Sequence, residues 1–358
     1  MSDRMPDIIA ALLVPLLATL DRLEAIGRFL LPPVTPALAE PLGDLEQQIE
    51  QALTAFNAAP WPEQMHPFRD VFAEAAKHTL HAASGLRDAP SQPNPQFAAS
   101  RALRQTGRAQ EALYQVANML PPVSRFFLEQ SRRDDTVLLA RLGVAPPDGT
   151  SVMHASNETG MRGGFTIYIP EYLDLTKPAP IVFALHGGAG HGRLFLWSWL
   201  REARSRGCIL VSPTARGDTW SLMDPEVDSA KLAAILADVG RHCAIDPARR
   251  LLTGMSDGGT FTLLSGLGAD SPFTHLAPCA ASFHPMLLSV SEPERIQGLP
   301  IYLIHGAKDW MFPVDMARTS QQMLRAAGAN VVYREIADLS HVYPRDENPA
   351  ILDWFLGG

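Results

Sequence analysis

Ser256 lies in Gly254-Met255-Ser256-Asp257-Gly258-Gly259, directly after the apolar run Leu251-Leu252-Thr253. A serine spaced between glycines on a strand-to-helix turn has its hydroxyl held in the open, ready for nucleophilic attack. Side chains at Gly254 and Gly258 would crowd that turn and the strand beside it. A serine hydroxyl is a weak nucleophile at neutral pH, so it needs a base, and the base needs an orienting acid. Asp309 ends the strand-like run Pro300-Ile301-Tyr302-Leu303-Ile304-His305-Gly306 and is the expected acid. His341, in the loop Asp338-Leu339-Ser340-His341, is the expected base. Asp315 and Asp338 compete less well with Asp309: the first falls in an expected helix and the second is too near His341 in sequence.

Acyl transfer through a serine also needs donors for the developing oxyanion, usually the largest electrostatic contribution. The buried-strand run Ala179–Leu185 ends in His186-Gly187-Gly188-Ala189-Gly190-His191-Gly192, a loop nearly free of side chains. The expected donors are the backbone N–H of Asp257 and that of Gly188, with Ala189 as the alternative. His186 and His305 are expected to brace their loops. Trp310, with Met311 and Phe312 behind the acid, and Trp220, after an earlier strand, are candidates to wall a substrate pocket. Each has core packing as its competing explanation.

These residues resemble the α/β-hydrolase superfamily. The resemblance is carried by Leu185-His186-Gly187-Gly188, by Ile245-Asp246-Pro247-Ala248-Arg249-Arg250 leading to Gly254–Gly259, by His305-Gly306-Ala307-Lys308-Asp309 and by Ser340-His341. Esterases of the polyester-depolymerase and feruloyl-esterase kind look nearest, with the phospholipase/carboxylesterase group adjacent. The likeness covers roughly residues 151–358. It implies a serine esterase with a Ser256–Asp309–His341 triad, acting through an acyl-enzyme without metal or organic cofactor. The carboxylate of Asp257, after the nucleophile, departs from the Gln, Asn or small residue of many relatives. The same machinery serves thioesters and peptides, so a thioesterase or serine peptidase is the rival enzyme. A non-catalytic binding protein on the same fold is the rival of another class.

The elements that must position these groups fall into two halves. Residues 1–145 read as amphipathic helices broken by prolines. The apolar stretch Ile8–Leu20 continues as an amphipathic helix to about Leu30. Leu42, Leu45, Ile49, Leu53 and Phe56 share one helix face, and further helices are expected over Pro67–Leu86, Gln96–Leu120 and from Pro121. This half is expected to be a lid, a dimerisation surface or a partner-binding module. A linker is expected at Ala145–Thr150. Residues 151–358 alternate strand and helix, which predicts an α/β sheet, mostly parallel, with helices on both faces and an antiparallel edge. Strands are expected near 151–156, 164–169, 181–186, 208–213, 250–254, 277–283, 300–305 and 330–336. Active residues of such sheets sit beyond the carboxyl ends of the strands.

Composition excludes several other classes. The 358 residues carry 30 basic and 38 acidic side chains with no basic run, so nucleic acid is not an expected partner. Ile8–Leu20 is shorter than the roughly 18 residues of a membrane span and lacks the basic start of a secretion signal. The chain is therefore expected to be cytoplasmic, its partners an ester substrate, small or oligomeric, and a second copy of itself. The three cysteines, Cys208, Cys243 and Cys279, sit in apolar surroundings and read as core residues. His78 and His81 are spaced for a metal, but without a third ligand nearby they read as structural. Arg216 and His284 end strands near the site, and both are better explained by surface or structural roles.

Overall fold

A computed structural model of the chain describes residues 5–145 and 147–357; Pro146, within the expected linker, lies outside them. The chain forms two compact units, one ending at Phe127 and the other beginning at Leu128. The short helix Thr136–Leu142 thus belongs to the second unit. Its start is capped by Asp135, whose side chain accepts the Leu138 N–H at 3.0 Å, a standard way to satisfy the free donors of a first turn. Leu138 and Leu142 pack there with Leu128 and the half-buried Tyr172.

The first unit is helical. Its principal helices are Met5–Arg28, Leu45–Ala58, His66–Asp88, Pro95–Leu103, Gln105–Tyr114 and Pro121–Phe126. The long helix expected over Gln96–Leu120 is divided. Thr106 turns its hydroxyl back to the Leu103 carbonyl at 2.7 Å, and Gly107 follows with weak helix propensity. The Phe56 ring meets Trp61 at 4.7 Å and Phe72 at 5.5 Å, and these aromatic contacts tie two helices and their connection together.

The second unit is built on one eight-stranded sheet. Its strands are β1 (Ser151–Ala155), β2 (Phe165–Ile169), β3 (Ala179–Leu185), β4 (Ile209–Pro213), β5 (Ile245–Met255), β6 (His275–Cys279), β7 (Pro300–Gly306) and β8 (Asn330–Ile336). The spatial order is β1-β2-β4-β3-β5-β6-β7-β8. β1 and β2 form the antiparallel edge, β2 joins β4 antiparallel, and every other neighbouring pair is parallel. The central strands are apolar because both of their faces are covered: Ile181, Phe183, Leu185, Leu251 and Leu252 are fully buried. Each such large side chain contributes roughly 1.5–3 kcal/mol. The outermost strand β8 instead alternates, with Val331 buried and Tyr333 and Glu335 half-buried, while Val332 and Arg334 between them are exposed, as one covered face requires.

β6 runs from His275 to Cys279, earlier than the expected 277–283. It stops because Ala280 takes φ 47°, outside strand geometry. The topology then sets the site. From β3 the chain crosses to β4 on one side, and from β5 to β6 on the other. The loops leaving the carboxyl ends of β3 and β5 diverge there and open a crevice.

Candidate active site

Ser256 stands at that crevice in a left-handed conformation, φ 55° and ψ −119°, between β5 and the helix Asp257–Gly266. Its own N–H is used by Cys279 O at 2.9 Å, which ties the turn to the end of β6. The flanking glycines are steric necessities. A Cβ on Gly254 would lie 2.5 Å from the Gly258 backbone, and one on Gly258 would lie 2.5 Å from the Leu185 and His186 carbonyls. Close contact between helix and strand thus holds a backbone conformation that costs on the order of 1–3 kcal/mol.

The structure brings Ser256, His341 and Asp309 together from three separate loops. His341 Nε2 lies 3.0 Å from Ser256 Oγ, and His341 Nδ1 lies 2.8 Å from Asp309 Oδ2. A carboxylate can only accept, so Nδ1 carries the proton and Nε2 presents its lone pair to the serine hydroxyl. The other carboxylate oxygen, Asp309 Oδ1, accepts the Met311 and Phe312 N–H groups at 2.9 and 2.8 Å. Burial pushes the Asp309 carboxyl up, but the hydrogen bonds from His341, Phe312 and Met311 outweigh it and hold the group below the usual carboxylate range. Those two backbone donors follow directly from the sharp turn after β7.

A second imidazole lies beside the acid. Fully buried His305 donates Nε2–H to Phe312 O at 2.9 Å, and the same nitrogen is 3.5 Å from Asp309 Oδ2. The His341 loop is anchored by Lys308 N–H to Leu339 O at 2.9 Å. Its ring is met edge-on by Phe312 at 5.3 Å and by Trp310 at 6.2 Å. The competing carboxylates lie elsewhere: Asp315 pairs with Arg318 on the surface, and Asp338 is exposed.

The glycine loop after β3 lies against the elbow, with the Cβ position of Gly187 3.5 Å from Ser256 Cβ. Asp257 opens its helix, so its N–H is among the first-turn donors that no helical carbonyl can satisfy. Ala189, the alternative donor, already gives its N–H to Asp218 O at 3.0 Å. The Asp257 carboxylate turns sideways and accepts the Thr219 hydroxyl at 2.5 Å. Its Oδ2 also sits 2.8 Å from where a Gly188 side chain would begin, so a side chain at 188 would have to push this carboxylate aside. His186 braces the loop, with Nδ1–H donating to Gly187 O at 2.7 Å and Nε2 accepting Ala215 N–H at 3.1 Å.

Trp220 is taken up in packing, the competing explanation for it. It is 3% exposed, stacks on Phe261 at 5.3 Å and gives its indole N–H to His186 O at 2.8 Å. An indole after a strand end satisfies its one donor most cheaply on a nearby free carbonyl, and here that places it under the glycine loop as a support. Trp310, by contrast, is 43% exposed beside His341. Arg216 and His284 are both exposed. Cys208, Cys243 and Cys279 are buried free thiols. Among the described residues no group of three His, Cys, Asp or Glu side chains could hold a metal ion, and no helix is long and apolar enough to cross a membrane. His78 instead donates to Gln105 Oε1 at 3.0 Å.

Residues 227–354 match the family described as phospholipase/carboxylesterase. The chain is 26% identical over 204 residues to a bifunctional acetylxylan esterase/xylanase, XynS20E, of Neocallimastix patriciarum; the match takes in 54% of this chain and 28% of that protein's length. Among solved structures, a thermostable esterase aligns with 20% identity over 59% of this chain and 63% of its own, TM-score 0.47. Esterase PE8 aligns with 21% identity over 55% of this chain and 98% of its own, TM-score 0.44. The strand order and the serine elbow after β5 give the second unit an α/β-hydrolase fold, and residues 227–354 within it are similar to the phospholipase/carboxylesterase family.

Proposed function

We propose that the second unit is a serine esterase that hydrolyses carboxylic esters through an acyl-enzyme. The observation that carries this reading is the continuous relay from Asp309 through His341 to Ser256, with both bonds at 3.0 Å or less. Ser256 Oγ attacks the ester carbonyl while His341 Nε2 takes its proton, and Asp309 holds the ring in the tautomer that allows this. The oxyanion is received by the N–H groups of Asp257 and Gly188, the first helped by the positive end of its helix. His341 returns the proton to the departing alcohol, then activates water to release the acid. Trp310 walls the substrate beside His341. Ester chemistry is favoured over amide or thioester chemistry by the family that residues 227–354 match and by the esterase activity named for the relative from Neocallimastix patriciarum.

Hydrolysis of p-nitrophenyl esters of graded acyl length by the whole chain tests the reading, with acyl thioesters and anilides as controls. Ser256→Ala is expected to lower kcat roughly 10⁴- to 10⁶-fold and to abolish labelling by a fluorophosphonate probe, while circular dichroism stays unchanged. Full activity in that variant overturns the assignment.

A further inference from the structure

We propose that Arg162 is a positioning residue for ester hydrolysis: its guanidinium clamps the glycine loop after β3 and so aims the Gly188 N–H at the oxyanion. The inference rests on the esterase reading and adds a residue outside the triad and its donors. Arg162 belongs to the connection between β1 and β2, remote in sequence from every other group of the site. Its Nη1 donates to Gly190 O at 2.7 Å, and its Nε donates to Gly217 O at 2.8 Å, with Nη2 on the same carbonyl. One planar fork thus ties the loop after β3 to the loop after β4. A guanidinium suits this place, since it offers five donors in a rigid plane and no acceptor.

The bond to Gly190 reaches the oxyanion donor through the backbone. Gly190 N–H holds Gly187 O at 3.0 Å, and His186 Nδ1–H holds the same oxygen at 2.7 Å. The Gly187 carbonyl and the Gly188 N–H share one peptide plane and point opposite ways. Fixing that oxygen therefore fixes where the Gly188 N–H points. Between them Ala189 sits at φ 52°, a left-handed conformation that an alanine leaves unless its surroundings enforce it. The enforcing bonds are Ala189 N–H to Asp218 O at 3.0 Å on one side and Arg162 on Gly190 O on the other. The same connection grips the loop once more, through His191 Nε2–H to Met161 O at 2.9 Å.

The test compares Arg162→Ala, Arg162→Lys and the double variant Arg162→Ala with Ala189→Gly, all in the full chain. Arg162→Ala is expected to lose roughly a hundredfold in kcat, the low end of what one oxyanion donor is worth, with KM within about threefold of wild type. Arg162→Lys, whose ammonium reaches one carbonyl but not both, is expected to fall between. Ala189→Gly should return part of the loss in the Arg162→Ala background, because glycine holds a positive φ without enforcement. Amide hydrogen exchange over residues 187–190 gives a readout that needs no turnover, and it should quicken in Arg162→Ala while the helix after Ser256 is unchanged. A wild-type chain that cleaves no ester sinks the esterase reading, and the exchange data then judge the clamp alone. Unaltered kcat, a loss confined to KM, or unaltered exchange in Arg162→Ala overturns the proposal. Should that variant fail to fold, Arg162→Lys carries the same comparison.

Discussion

His341 Nε2 reaches Ser256 Oγ across 85 positions of chain, at 3.0 Å, only because the opposite nitrogen of the same ring is committed to Asp309. Without that bond the ring would be free to present either tautomer, and half the arrangement would be lost.

Asp309→Asn tests this directly. An amide can donate to Nδ1 and stabilise the wrong tautomer, so kcat should fall by about 10⁴ with the fold retained. The same substitution has a signature in stability. The native carboxyl is held below its ordinary value, so it binds protons less readily than in the unfolded chain. Its contribution is complete above the ordinary carboxylate pKa of about 3.9 and is lost as pH falls through the lower native value. Denaturant unfolding of Asp309→Asn between neutral and strongly acid pH should show a shallower decline than wild type. An equal decline would contradict the hydrogen bonds assigned to this carboxylate.

Gly258→Ala should damage the elbow through sterics alone. The added methyl would meet two carbonyl oxygens of the chain leaving β3 at 2.5 Å, and backbone oxygens cannot swing aside as a side chain would. Overpacking of this kind costs about 1–3 kcal/mol. Because the displaced helix carries the Asp257 N–H, activity should fall further than the stability loss explains. Equilibrium unfolding measured beside kcat separates the two effects.

Glu171→Gln should be among the most destabilising changes in the second unit. Arg204 is fully buried, and its Nε lies 3.3 Å from Glu171 Oε1, while Tyr168 donates its hydroxyl to Glu171 Oε2 at 2.8 Å. Removing the carboxylate charge weakens a buried ion pair, at a cost of up to about 3–5 kcal/mol. The pair lies at the end of β2, away from the crevice, so kcat of the folded fraction should be unchanged. Urea unfolding monitored by tryptophan fluorescence reads the effect.

The cysteines should be silent in the native protein. Burial pushes the Cys208 thiol up to about 12 and raises those of Cys243 and Cys279 as well. A thiol is reactive only as thiolate, so iodoacetamide should modify none of the three until denaturant is added. Rapid native labelling of any one would contradict its burial.

Much of the site was legible because it is encoded locally. A nucleophile elbow is a short-range steric problem, and its solution is written in the glycines around Ser256. Asp309 and His341 stand at strand ends that apolar runs announce, and the order of these groups along the chain follows from strand order. The same logic predicted the eight strands and the antiparallel edge, and missed details where one residue's backbone decided, as Ala280 does in ending β6. The side-chain partners were not legible. Trp220 reads as a pocket wall until the fold turns it beneath His186, and no spacing hints that Arg162 grips Gly190 and Gly217 or that Thr219 holds Asp257. Those contacts join segments distant in the chain, and hydrogen-bond geometry between such segments is set by how the sheet and its loops pack. Residue types and their spacing determined which chemistry this protein is equipped for; only the folded chain decided which groups hold that chemistry in place.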